Sequence, residues 1–194
     1  MRYIGEGVIR MADYGESSYR RFLRSDRGAL EELVAAYSDE LVRFAFGYVR
    51  SESLAEDVVS DVFAALFMKA KHFSDEDQLR PYLYKMTRNR AIDRLRRQCR
   101  EIPLEDVETA LSTHSTEVLL LHKERDEILY RSLTKLPRQY REVLELMWFE
   151  GFSNEQTAAI LGKTAKQLYN LHARAKIALK ELLEKEGVTR EDLW

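Results

Sequence analysis

Residues 153–176 read SNEQTAAILGKTAKQLYNLHARAK. Ser153, followed three residues later by Gln156, is a capping box, in which a hydroxyl and a side-chain amide satisfy the first unpaired N–H groups of a helix. Gly162 suits the left-handed residue that ends such a helix, and Thr164 with Gln167 repeats the box at once. Leu168, Leu171, Ala175 and Leu179 then recur at three-and-four spacing, the inner stripe of a longer helix. A short helix, a glycine turn and a longer basic helix make a helix-turn-helix. In that motif the second helix enters the major groove of duplex DNA, and its first two turns reach the base edges. Lys166, Gln167, Tyr169 and Asn170 hold those positions, with Lys163 just before them and Arg174 and Lys176 placed to meet phosphates. A helical hairpin with a solvated charged face is the plain alternative.

The charges upstream are segregated. Residues 80–100 carry eight basic side chains against one acid, Asp93; residues 101–117 carry five acids and no lysine or arginine; residues 163–180 carry five bases and no acid. Net charge is only -2, so the distribution and not the total points to nucleic acid. In the first basic block Arg90, Arg94 and Arg97 fall near one helical face, with Ile92, Leu95 and Cys99 on another. Arginines neutralise phosphates and aromatics stack on exposed bases. Phe73, Tyr82 and Tyr84 as stacking partners, with Asn89 as donor and acceptor, therefore suit single-stranded DNA. The competing reading makes the tyrosines core residues at a helix start and the arginines a solvated face.

The rest of the chain is helical in pattern. Leu30, Leu33, Val34, Tyr37, Leu41, Phe44, Ala45 and Tyr48 share one stripe. Ser53 with Glu56 reads as a capping box opening a second helix, which turns Val58, Val62, Phe63 and Leu66 inward and Asp57 and Asp61 outward. Lys71 to Asp77 reads as a loop, and Pro81, tolerated only in a first turn, opens a third helix running to about Arg100. A short helix near Ser17 to Leu23 completes a first domain. The polar run from Glu101 to Thr116, with Pro103, has the composition of a connector. Val118 to Lys135 is helical again, and Leu136-Pro137 restarts a helix with Tyr140, Val143, Leu144, Met147 and Trp148 inward until Gly151 stops it. The prediction is an all-α chain of two small helical domains joined by an extended acidic linker.

Composition excludes several classes. With 45% hydrophobic and 33% charged residues among 194, the chain is neither fibrous nor disordered. No window approaches the roughly 18 apolar residues of a membrane helix, and the opening MRYIGEGVIR lacks a signal-peptide core, so no membrane insertion and a cytoplasmic location are expected. Cys99 is the lone cysteine, and His72, His114, His122 and His172 never approach metal-ligand spacing. Gly162-Lys163-Thr164 ends like a P-loop, but Thr157 stands where its first glycine is needed. No cofactor, metal or catalytic residue is expected, and the chain reads as a non-enzyme.

Taken in order, these segments resemble an extracytoplasmic-function (ECF) sigma factor, the small two-domain promoter-recognition subunit of bacterial RNA polymerase. Ala55-Glu-Asp-Val-Val-Ser-Asp-Val-Phe63 is similar to the second helix of sigma region 2. Tyr82 through Arg97 is similar to that region's last helix, and Leu136 through Leu179 to sigma region 4. The resemblance implies an N-terminal extension over 1–18, region 2 over 19–100, an acidic linker over 101–117, region 4 over 118–186 and a tail over 187–194. It implies a factor that binds core polymerase, directs it to −10 and −35 promoter elements and assists promoter opening. Asp57 and Asp61 match the acidic positions that dock on the clamp helices of the largest subunit. Phe73 and Asn89 match the pocket for a flipped −10 base, with Arg88, Arg90, Arg94 and Arg97 beside them. Lys163, Lys166, Gln167, Tyr169, Asn170 and Arg174 fall to the −35 element, and the other face of region 4 to the polymerase flap tip. Promoter DNA, core polymerase and an anti-sigma factor are the implied partners, and the linker would thread the RNA path as a nucleic-acid mimic. Tyr82 stands where tryptophan is usual, Ser60 where glutamine is common, and Leu171 where a basic residue is frequent. Met11-Ala-Asp-Tyr resembles a natural beginning, since residues 1–10 have no family counterpart. A helix-turn-helix regulator that binds duplex DNA as a dimer, without polymerase, is the rival reading.

Overall fold

The computed structural model describes residues 18–23, 26, 28–69, 78–101 and 124–185. The extension over 1–17, most of the 71–78 loop with Phe73, the linker from 102 onward, the helix start at Val118 and the tail over 187–194 lie outside them. Every regular element among the described residues is helical. They fall into two compact units, one ending at Glu101 and one beginning at Glu124.

The first unit comprises α1 (residues 18–23), α2 (Gly28–Val49), α3 (Glu52–Lys69) and α4 (Leu79–Glu101). The α2 stripe is as the spacing predicts, with Leu33, Tyr37, Leu41, Phe44, Ala45 and Tyr48 buried. Against it lie Val58, Val62, Phe63 and Leu66 of α3 and Leu83, Tyr84 and Ala91 of α4. Each fully buried large apolar side chain stabilises such a core by about 1.5–3 kcal/mol. Rings join the elements: Phe22 sits 4.9 Å from Phe67, and Phe44 4.8 Å from Tyr84. Arg21 ties α1 to α2 through Asp26 and Glu32; its guanidinium holds the Asp26 carboxyl below the usual carboxylate range, and the Ser18 hydroxyl, followed by Arg21, does the same for Glu32.

Two expectations need correction here. The capping serine of α3 is Ser51 and not Ser53: Ser51 Oγ accepts from Leu54 N–H at 3.5 Å and its carbonyl from Ala55 N–H at 2.9 Å. Arg50, at φ 54°, takes the left-handed conformation that ends α2 and sets the next helix to begin at Glu52. Tyr84 is fully buried and unavailable for base stacking, while Tyr82 is half-buried. The competing core reading holds for Tyr84 because it lies on the same stripe of α4 as Leu83, Thr87 and Ala91. Pro81 falls in the first turn of α4, where its missing N–H costs nothing.

The second unit comprises α5 (Glu124–Lys135), α6 (Arg138–Leu144), a π-helical turn (Glu145–Phe149), α7 (Asn154–Leu161) and α8 (Ala165–Lys185). Val143, Leu144 and Leu146 are buried, together with Ile160, Leu161, Leu168, Ala175 and Leu179. Trp148, expected inside, is 44% exposed. In the π turn Glu150 N–H bonds to Glu145 C=O, five residues back, so one extra residue enters the turn and rotates Trp148 and Phe149 outward. Gly151, at φ 69°, then breaks the helix. Leu171 is buried on the inner face of α8.

Candidate nucleic-acid interfaces

Local chemistry orients the second helix of the helix-turn-helix. Ser153 Oγ accepts from Gln156 N–H at 3.2 Å and Gln156 Oε1 accepts from Ser153 N–H at 3.0 Å, closing the first capping box. Gly162 caps α7 at φ 64°, where a side chain would be strained. Thr164 and Gln167 close the second box, with Gln167 Oε1 2.9 Å from Thr164 N–H and Thr164 Oγ1 3.2 Å from Gln167 N–H. The turn between the helices is thereby fixed from both sides.

Burial of Leu168, Leu171, Ala175 and Leu179 leaves Lys166, Gln167, Tyr169, Asn170 and Arg174 exposed, Tyr169 at 75%. Lys166, Asn170 and Arg174 follow one another at four-residue steps, a single row about two turns long. Lys163 is half-buried, and its N–H is bonded to Ala158 C=O. On a different face of α8 from this row, Trp148 meets His172 edge-on at 6.3 Å, a contact the sequence pattern did not reveal. Burial, then the nearby Lys176, lowers the His172 imidazole below its ordinary range.

The basic helix of the first unit divides its charges. Arg80 is engaged with Glu40, and Arg96 with Asp93. Arg90 Nη1 lies 3.3 Å from Asp61 Oδ2, and Arg94 Nη2 3.0 Å from Asp57 Oδ2. Residues assigned separately to polymerase and to −10 DNA are therefore in direct contact. At about 100° per residue, Arg88 and Asn89 project away from the Arg90–Arg94 edge, so the five −10 candidates among the described residues do not form one cluster. Asn89 and Arg97 are exposed and Arg88 is half-buried. On the other side of α3, an open cavity of about 670 Å³ runs along α2, lined by Val34, Asp39, Arg43, Glu52, Val59 and Phe63. Among the described residues no cluster of His, Cys, Asp and Glu has a metal-binding arrangement, and no helix is long and apolar enough to cross a membrane.

Comparison with known proteins places both units. The first matches the Sigma-70 region 2 family over residues 33–101 and the second the Sigma-70, region 4 family over residues 126–179. The ECF RNA polymerase sigma factor SigM of Bacillus subtilis is 24% identical over 84% of this chain and 99% of its own length. The chain belongs to the ECF sigma factors. RNA polymerase sigma factor NccH of Alcaligenes xylosoxydans xylosoxydans is 28% identical to this sigma factor, over 89% of this chain and 96% of the relative. Among solved structures, CnrH in complex with the cytosolic domain of CnrY superposes at a TM-score of 0.61 with 27% identity, covering 89% of this sigma factor and 99% of CnrH. The all-α, two-domain expectation holds, and the chain is an alternative sigma factor acting with RNA polymerase at promoters. The dimeric-repressor reading receives no support from these similarities.

Proposed function

We propose that residues 19–100 dock on core polymerase through Asp57 and Asp61 and hold the −10 element, while residues 118–186 read the −35 element. The observation that carries the −35 part is the row Lys166, Asn170 and Arg174 standing exposed on α8 while the capping boxes fix the helix it stands on. Lys166, Tyr169 and Asn170 reach base edges or backbone, and Arg174 and Lys163 meet phosphates. On the −10 side, Asn89 with Phe73 receives a flipped base, and Arg88 and Arg97 lie along the strand. Arg90 and Arg94 contribute charge to that strand only once their carboxylate partners are engaged elsewhere. The acidic residues 101–117 join the two regions and imitate nucleic acid in the RNA path.

The factor acts in the cytoplasm and performs no covalent chemistry: opening is driven by the whole complex, with the sigma chain capturing the unpaired strand. Because CnrH, 27% identical, is found bound to the cytosolic domain of a second protein, an anti-sigma partner that withholds this factor from polymerase fits the same surfaces. The test is size-exclusion chromatography of the full chain with sigma-free bacterial core polymerase. Co-elution at one copy per enzyme, lost in Asp57→Asn/Asp61→Asn, supports the reading; a chain that ignores core polymerase and shifts duplex DNA as a dimer overturns it.

A further inference from the structure

Asp57 and Asp61 are four residues apart on α3, as Arg90 and Arg94 are on α4. The helices run antiparallel there, so Asp57 meets Arg94 and Asp61 meets Arg90, two rungs about 6 Å apart along each helix. All four side chains are between 38% and 64% exposed. Exposed pairs of this kind are weak and are readily exchanged for another partner. While they are closed, a phosphate approaching Arg90 or Arg94 also meets a carboxylate, and the four paired side chains together carry no net charge.

Resting on the assignment of Asp57 and Asp61 to polymerase, we propose that the two rungs are an exchange latch. Basic residues of the polymerase take the α3 carboxylates, and the same event releases the Arg90 and Arg94 guanidiniums for the phosphates of promoter DNA. The free chain consequently masks part of its own DNA-binding charge. Linkage makes the effect reciprocal: whatever factor docking adds to DNA affinity, DNA adds to docking.

The experiment measures two affinities for the full chain: for sigma-free core polymerase, and for a single-stranded oligonucleotide followed by fluorescence anisotropy. Asp57→Asn/Asp61→Asn should tighten oligonucleotide binding by the free chain about two- to tenfold and weaken polymerase binding. Asp39→Asn/Glu52→Gln removes the same charge at the α2–α3 cavity and should leave oligonucleotide binding nearly unchanged. Arg90→Ala/Arg94→Ala should tighten polymerase binding by about the same factor, because the acids are then uncontested. Equal tightening by the cavity control would reduce the effect to net charge and overturn the latch. Weaker polymerase binding in Arg90→Ala/Arg94→Ala would also overturn it, making the arginines positioning residues for the acids. If Asp57→Asn/Asp61→Asn leaves polymerase binding untouched, the assignment beneath the latch fails, and the latch with it.

Discussion

Gln167 accepts the N–H of Thr164 through its side-chain oxygen at 2.9 Å, and in return donates its own backbone N–H to Thr164 Oγ1 at 3.2 Å. A residue proposed to read DNA is therefore also half of the cap that starts its own helix. Its amide NH₂ and the second lone pair of Oε1 are left to address a base, so any part it takes in recognition is narrower than its exposure suggests.

The two roles separate by substitution. Gln167→Glu keeps an oxygen for the Thr164 N–H while removing the NH₂ and adding a negative charge. Its thermal midpoint should match the parent, and its preferred −35 sequence, selected from randomised duplexes, should change. Gln167→Ala removes both functions of the side chain and should also lose about 1 kcal/mol of stability, the scale of one lost hydrogen bond. An unchanged selected sequence in both variants would take Gln167 out of recognition and leave it as a cap.

Arg174 is exposed at the third step of the Lys166–Asn170–Arg174 row. A phosphate contact there contributes equally on every sequence. Arg174→Ala should weaken promoter binding by the holoenzyme uniformly across −35 variants and shallow the log–log salt dependence by about 0.9. A slope that stays put would mean that Arg174 meets no phosphate.

What could be read in advance was mostly short-range. Both capping boxes of the helix-turn-helix, the Gly151 and Gly162 stops and the Pro81 start depend on residues within four positions, and all are present. Three features escaped because they depend on backbone conformation or on packing between helices, which residue spacing does not carry. Ser53, with Glu56 three residues on, is the better cap by pattern, but the helix begins at Glu52 directly after the left-handed Arg50, which leaves Ser51 at the cap. Trp148 follows the inward spacing of an α-helix, but one added residue in the π turn moves it to the surface. The Asp57–Arg94 and Asp61–Arg90 contacts span 37 and 29 residues and arise only when α3 packs beside α4. Charge segregation singled out α4 and the family resemblance singled out Asp57 and Asp61 of α3, and neither indicated that the two sets of charges meet.

Arg80 shows how much of a basic block can be structural. Its guanidinium donates to both oxygens of Glu40 at 3.1 Å and to Tyr84 Oη at 3.3 Å, and lies 5.0 Å above the Tyr84 ring. Glu40 is 12% exposed, so removing Arg80 takes two charge-assisted hydrogen bonds from a carboxylate that water reaches poorly. Arg80→Ala should destabilise the first unit by about 2 kcal/mol in urea titration, the scale of a lost hydrogen bond to a charged group. Retained stability together with weakened DNA binding would place Arg80 among the DNA contacts instead.

His172 gives the second unit a pH dependence whose sign is fixed by its surroundings. Its Nε2 is buried without a hydrogen-bond partner among the described residues, its ring faces Trp148, and burial followed by Lys176 lowers its affinity for a proton. Above the ordinary imidazole value of about 6.5 the ring is neutral in the folded and unfolded chain alike, and the full stability is present. As pH falls below that value the unfolded chain takes the proton first, and stability is lost until the folded ring is protonated too. Thermal unfolding followed between neutral pH and pH ~5 should therefore decline more steeply for the parent than for His172→Gln, which has no proton to take. Parallel pH profiles would show that the imidazole is as accessible to protons in the fold as out of it.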